Sequence, residues 1–175
     1  TSLLDHPLMI ADAHCIAWQS NANHQTINHQ LVLAPIYQQQ IDSARLREDL
    51  SQITQAHLQF WGEAPFEKYV FLALLSERGY GGLEHRQSTV LLCHDEHLPR
   101  LNALTKAITY KEFLGLVSHE YFHSWWVKGV QPLAVAQNDM TQEAYFKDLW
   151  IFEGITSYYD DLVLARAGVI EVEDW

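Results

Sequence analysis

The chain has 175 residues, 48% of them hydrophobic and 19% charged, which excludes intrinsic disorder and leaves enough apolar material for one globular core. The 22 acids against 11 bases give a formal charge of −11. That balance excludes nucleic acid and anionic membrane surfaces as partners and mildly favours cationic ligands such as peptide N-termini.

In chain order, residues 8–36 contain alternating stretches such as His29-Gln30-Leu31-Val32-Leu33-Ala34, predicting two short strands ended by Pro35. From Ile41 to Phe60, the residues Leu46, Leu50, Ile53, Leu58 and Phe60 recur at amphipathic-helix spacing. Glu67 to Leu75 reads as a buried strand. Gly81 and Gly82 in Tyr80-Gly81-Gly82-Leu83-Glu84-His85-Arg86 allow a backbone to approach a ligand closely. The alternation from Gln87 to Leu92 then reads as a strand lining a cleft. A peptide adding to that edge would bind through its backbone, and Glu84 would pair with its free α-amino group. The same glutamate also fits a surface turn. His85 suits three roles: orienting Glu84, lining the cleft, or packing as a structural histidine. His94-Asp95-Glu96-His97 has an HxxH spacing, but it precedes Pro99 outside any long helix and reads as solvated loop rather than a second metal site. Cys15 and Cys93 form neither a CxxC pair nor a disulfide framework.

The segment from Ile108 to Val127 has no proline and one glycine, and its apolar spacing predicts a largely buried helix. Within it, His119, Glu120 and His123 form an HExxH pattern. Residues four apart share a helix face, so both imidazoles can bind one Zn²⁺ while Glu120 serves as general base toward water. Buried imidazoles and a carboxylate also need partners, and a metal satisfies all three.

A catalytic zinc takes three protein ligands and keeps one position open. The third candidate is Glu153, the single acid amid Trp150, Ile151 and Phe152. It lies in a second helical pattern from about Gln142 to Ala167, with Asp139 and Gln142 offering an N-terminal start and Gly168 a C-terminal stop. A buried glutamate capping another polar group is the bland alternative. Gly129 to Asp139 reads as a connector. The fold class is α+β: a small sheet packed on helices, its edge strand above the zinc helix.

Three stretches, His119 to Pro132, Glu153-Gly154 with Thr156 to Asp161, and Tyr80 to Arg86, resemble the glycyl aminopeptidase family of gluzincin metallopeptidases. Asp5-His6-Pro7 is a weaker echo. The resemblance implies a thermolysin-like fold, with His119, His123 and Glu153 as zinc ligands and Glu120 as catalytic base. Glu84 would recognise the substrate N-terminus, with Gly81 and Gly82 beside it. It further implies that residues 1–175 are one catalytic domain of a longer protein, whose N-terminal β domain and C-terminal PDZ domain lie outside this chain. Relatives more often carry Trp-Asn-Val-Lys-Arg where this chain has Trp125-Trp126-Val127-Lys128-Gly129. An indole donates one hydrogen bond and accepts none, so ligand orientation would differ if that side chain touched the site. In related gluzincins the tyrosine that stabilises the oxyanion follows the third ligand at a distance, so the resemblance puts it outside these residues. Tyr158 and Tyr159 read as core packing.

The expected function is therefore zinc-dependent removal of N-terminal glycine or small residues from peptides. The alternatives are a zinc endopeptidase and a non-catalytic zinc- or peptide-binding scaffold. No apolar run approaches the roughly 18 residues that span a bilayer, and the chain opens without a basic-then-apolar leader. The expected setting is the cytoplasm or periplasm of a bacterium.

Overall fold

The computed structural model describes residues 5–35, 41–137, 141–143 and 145–174. Five strands form one mixed sheet in the order β1-β2-β3-β5-β4. They are β1 (His14–Ala22), β2 (Gln25–Ala34), β3 (Lys68–Leu75), β4 (Gly81–Glu84) and β5 (Ser88–Cys93). The pair β1 and β2 is an antiparallel hairpin in which Ala22 faces Gln25, and Asn23 supplies the left-handed turn residue at φ 48°. Parallel pairing joins β2 to β3 and β3 to β5, while β4 runs antiparallel to β5 at the sheet margin.

Alternation puts Leu31, Leu33, Phe71, Ala73 and Leu91 on one buried face. Against it packs α1 (Ser43–Trp61) with Leu46, Leu50 and Ile53, and α2 (Ile108–Phe122) with Phe113, Val117 and Tyr121. The Asp42 side chain caps α1 by accepting from the Arg45 amide at 3.0 Å, and Gly62 ends it in the left-handed conformation. Two further helices follow, the short α3 (Leu133–Ala136) and α4 (Leu149–Arg166).

The hairpin, α1 and β3 match the sequence expectations. Three boundaries differ. The sheet margin above α2 is β4 itself, while β5, the expected cleft strand, lies between β3 and β4, because a short apolar run reads alike at an edge and in a sheet interior. Helix α2 stops at Phe122, five residues before Val127. His123 occupies its C-cap, turns follow at residues 123–125, and Val127 beyond them adopts φ 119°, a positive value that no helix contains. Helix α4 begins at Leu149, later than the expected Gln142, while Asp139 lies outside the described residues. Gly168, at φ 69°, ends α4 as expected.

The buried side of α4 is also more polar than its apolar spacing predicts. Thr156 and Asp160 are buried with Val163 and Leu164. With Glu153 they follow the helical repeat and form one stripe. That stripe faces α2.

Candidate metal centre

The packing of α4 against α2 assembles the site. Glu153 lies beside His119 and His123, while Asp160, about two turns further on, lies beside His119 and Ser118, so α4 runs antiparallel to α2. His119 Nε2 and His123 Nε2 are 3.1 Å apart. Glu153 Oε2 is 3.4 Å from the first and 3.7 Å from the second. Ligands about 2.0–2.1 Å from a tetrahedral zinc stand about 3.3–3.4 Å apart, so the three atoms have the span of a zinc face.

The outer nitrogens fix what the inner ones present. His119 Nδ1 donates to Asp160 Oδ2 at 2.8 Å. His123 Nδ1 donates to the Trp126 carbonyl at 3.1 Å, with Thr156 Oγ1 at 3.4 Å. Both neutral rings therefore turn an Nε2 lone pair toward the other and toward the Glu153 carboxylate. Three acceptors facing one another require a cation between them. A proton can fill that role. Burial disfavours the charged form of His119, but Asp160 and Glu153 outweigh it and raise the ring to about 10. His123 is held low by burial and by the His119 charge, while Glu153 is held low chiefly by His119.

Glu120 is 4% exposed, and its Oε2 has no hydrogen-bond partner among the described residues. Burial raises its carboxyl to about 7, with Glu84 and Glu153 adding to the rise and His119 opposing it. Gly82 on β4 makes room for it, since a Cβ there would run into the Glu120 carboxylate. At the end of β4, Glu84 Oε1 meets Lys128 Nζ at 3.3 Å. At its start, the Tyr80 hydroxyl donates to the Glu112 carbonyl at 2.8 Å. These three contacts lay β4 along α2 in the same direction.

A cleft of about 800 Å³ runs between β4 and α4 with α2 as its floor. Its lining includes all seven residues singled out from sequence: Glu120, His119, His123, Glu153, Glu84, Gly82 and Gly81. The structure thus brings the expected set together. His119, His123 and Glu153 are the one group of potential ligands that converges among the described residues. His94 to His97 instead form a one-turn 3₁₀ helix with reciprocal capping bonds. Cys15 and Cys93 are free thiols. His85 bonds the Leu83 carbonyl at 2.9 Å rather than Glu84.

Sequence reasoning missed Asp160 and the Trp126 carbonyl. An acid seven residues after Glu153 repeats the same helix face, and that spacing was the available signal. The Trp126 indole stacks on Phe152 at 5.1 Å, and it is the backbone of this residue that touches His123, so tryptophan there leaves the partner of His123 in place. Tyr159 stacks on Phe122 at 5.7 Å, in keeping with packing. A polar strut ties the layers together: His57 Nε2 lies 2.9 Å from Ser118 Oγ, which donates to the Asp160 carbonyl at 2.8 Å.

Residues 112–175 match the model of the M61 glycyl aminopeptidase family. A crystal structure of an aminopeptidase N family protein from Idiomarina loihiensis is 38% identical over 89% of this chain, with a TM-score of 0.80. The chain spans only 26% of that protein's length. A mutant two-domain M1 zinc metallopeptidase bound to L-arginine shares the fold at 15% identity, covering 91% of this chain and 30% of its own, with a TM-score of 0.54. The same protein bound to L-tryptophan gives a TM-score of 0.53, again at 15% identity and with the same coverage of both chains. No curated protein matches the chain.

Proposed function

We propose that this chain is the metal-bearing core of a zinc-dependent aminopeptidase that removes an N-terminal glycine or other small residue from peptides. His119, His123 and Glu153 would hold the zinc. The observation that carries the reading is the convergence of their three acceptor atoms at 3.1, 3.4 and 3.7 Å, with both outer imidazole nitrogens already committed. Zinc in that place would supply Lewis-acid polarisation of the scissile carbonyl and of the attacking water.

The remaining chemistry belongs to the chain. Glu120, buried and with an unbonded oxygen, takes the proton of the attacking water and returns it to the leaving amine. A carboxyl raised toward neutrality suits both halves of that transfer. Asp160 and the Trp126 carbonyl hold the two rings in their working tautomers. The strand β4 offers its margin to an extended substrate, with Gly81 and Gly82 admitting the backbone. Glu84 accepts from the substrate's α-ammonium. Its pairing with Lys128 engages Oε1 and leaves the second oxygen as an acceptor.

The test is elemental analysis of the purified protein beside its His123→Ala and Glu153→Ala variants, followed by peptide hydrolysis with Glu120→Gln. About one zinc per chain, lost in the ligand variants, is expected. Glu120→Gln should keep the metal and lose turnover. A protein that never takes up zinc, or a Glu120→Gln variant with undiminished turnover, would sink the proposal.

A further inference from the structure

The cleft continues well past the metal site, toward the start of α2. The helix from His119 back to Ile108 spans about 16 Å at 1.5 Å per residue, enough for several residues of extended peptide at about 3.3 Å each. At the opposite end lies Glu84, which lines the cleft and pairs with Lys128. This inference rests on the aminopeptidase reading, which sets the direction of the substrate. With its amine at Glu84, the residues beyond the cleaved bond extend toward Tyr80 and Ile108, because β4 runs in the same direction as α2.

The floor on that side is specific. Gly115 has no side chain, and a Cβ there would stand 3.6 Å from Asp161 Oδ1, so the glycine leaves depth beneath the acid. Leu116, Leu164 and Ile170 are all buried and line the same stretch. Asp161 is half-buried there. Burial raises its carboxyl, and the like charge of Asp160 adds to the rise. Asp160 is committed to His119. Asp161 touches neither imidazole by any hydrogen bond or ion pair described among these residues. Lys111 and Glu112 line the same cleft, with Glu112 Oε2 3.6 Å from His97 Nε2.

An acid set among apolar side chains matches a long residue with an apolar stem and a cationic tip. We propose that this end of the cleft is the subsite for the first residue of the leaving peptide, and that it selects lysine or arginine there through Asp161. The stem lies along Leu116, Leu164 and Ile170, and the cation reaches Asp161. Asp161 is thus a specificity-determining residue.

The experiment compares, in the complete zinc-loaded protein, kcat/KM for glycyl-lysyl and glycyl-norleucyl peptides identical beyond the second residue. Norleucine keeps the stem and lacks the cation. The lysine peptide should be favoured about ten-fold, the scale of one charge-assisted contact. Asp161→Asn should bring that ratio close to one. Equal wild-type rates, or a preference that survives the substitution, would overturn the subsite. If neither peptide releases glycine, the aminopeptidase reading fails instead. Equilibrium binding of the same pair then decides the subsite separately: a lysine preference that Asp161→Asn removes supports it, and equal or absent binding overturns it.

Discussion

Asp160 Oδ2 accepts a hydrogen bond from His119 Nδ1 at 2.8 Å, which fixes the imidazole with its Nε2 lone pair toward Glu153. The same carboxylate adds negative charge behind a ring that would bind a cation, so it should raise ligand basicity. Asp160→Asn keeps the shape and removes the charge. Zinc affinity is expected to fall about 10–100-fold, the range for losing such a partner. Competition with a chromogenic chelator measures it, and an unchanged affinity would show that Asp160 only packs.

Gly82→Ala probes the approach of β4 to α2. The added methyl would overlap the Glu120 carboxylate, so either the strand or the base must move. A displacement of about 1 Å at a reacting group can cost about 100-fold in rate. The ligands lie on other residues. The expected variant therefore binds about one zinc and hydrolyses peptides about 100-fold more slowly. Loss of zinc together with activity would mean that the clash spreads into the helix.

The parts of this arrangement that sequence made legible are those carried by a single element. The spacing of His119 and His123 fixes a shared face wherever a helix forms, and an isolated acid between Trp150, Phe152 and Ile155 has few structural explanations other than a buried polar partner. The hairpin and α1 follow from alternation and spacing in the same way. What depends on two elements meeting was hidden. The role of Asp160 exists because α4 crosses α2 antiparallel, and the carbonyl of Trp126 reaches His123 across the turn that follows α2. The placement of β4 outside β5 arises from pairing order, which a short apolar run does not encode. The resemblance to a metallopeptidase family supplied the proposed function, which geometry alone would have left open, while Asp161 gained its proposed role only from the cleft.

Glu84→Gln tests amine recognition. The amide keeps one acceptor oxygen and loses the charge, which should cost a charge-assisted bond worth about 1.5–3 kcal/mol. That corresponds to a loss of roughly 10- to 150-fold in kcat/KM on peptides with a free N-terminus. N-acetylated peptides carry no ammonium for Glu84 to meet, so their slow turnover should change much less. Equal losses on both would point to an endopeptidase or to a purely structural ion pair with Lys128.

The histidines behind α2 make the fold acid-sensitive. His57 is fully buried against Tyr121, Phe122 and Trp125, and burial lowers its pKa from 6.5 to about 3. His29, stacked on Trp18 and bonded to the Tyr121 hydroxyl at 2.8 Å, is lowered by burial to about 4. Both rings are neutral in the fold. Below pH 6.5 the unfolded chain takes up protons that the folded chain refuses until about pH 3 to 4, so stability falls as pH drops through that window and is unaffected above it. Each unit of pH costs about 1.4 kcal/mol per histidine, or about 2 kcal/mol for His57 at pH 5. Denaturant titrations at pH 7.5 and pH 5 in the presence of a chelator, which keeps metal ligation out of the balance, compare wild type with His57→Gln. The variant's amide can still bond Ser118. It should be less stable at pH 7.5 yet lose about 2 kcal/mol less than wild type on going to pH 5. Parallel losses in the two proteins would mean that His57 is already protonated in the folded state and that its burial is relieved by water.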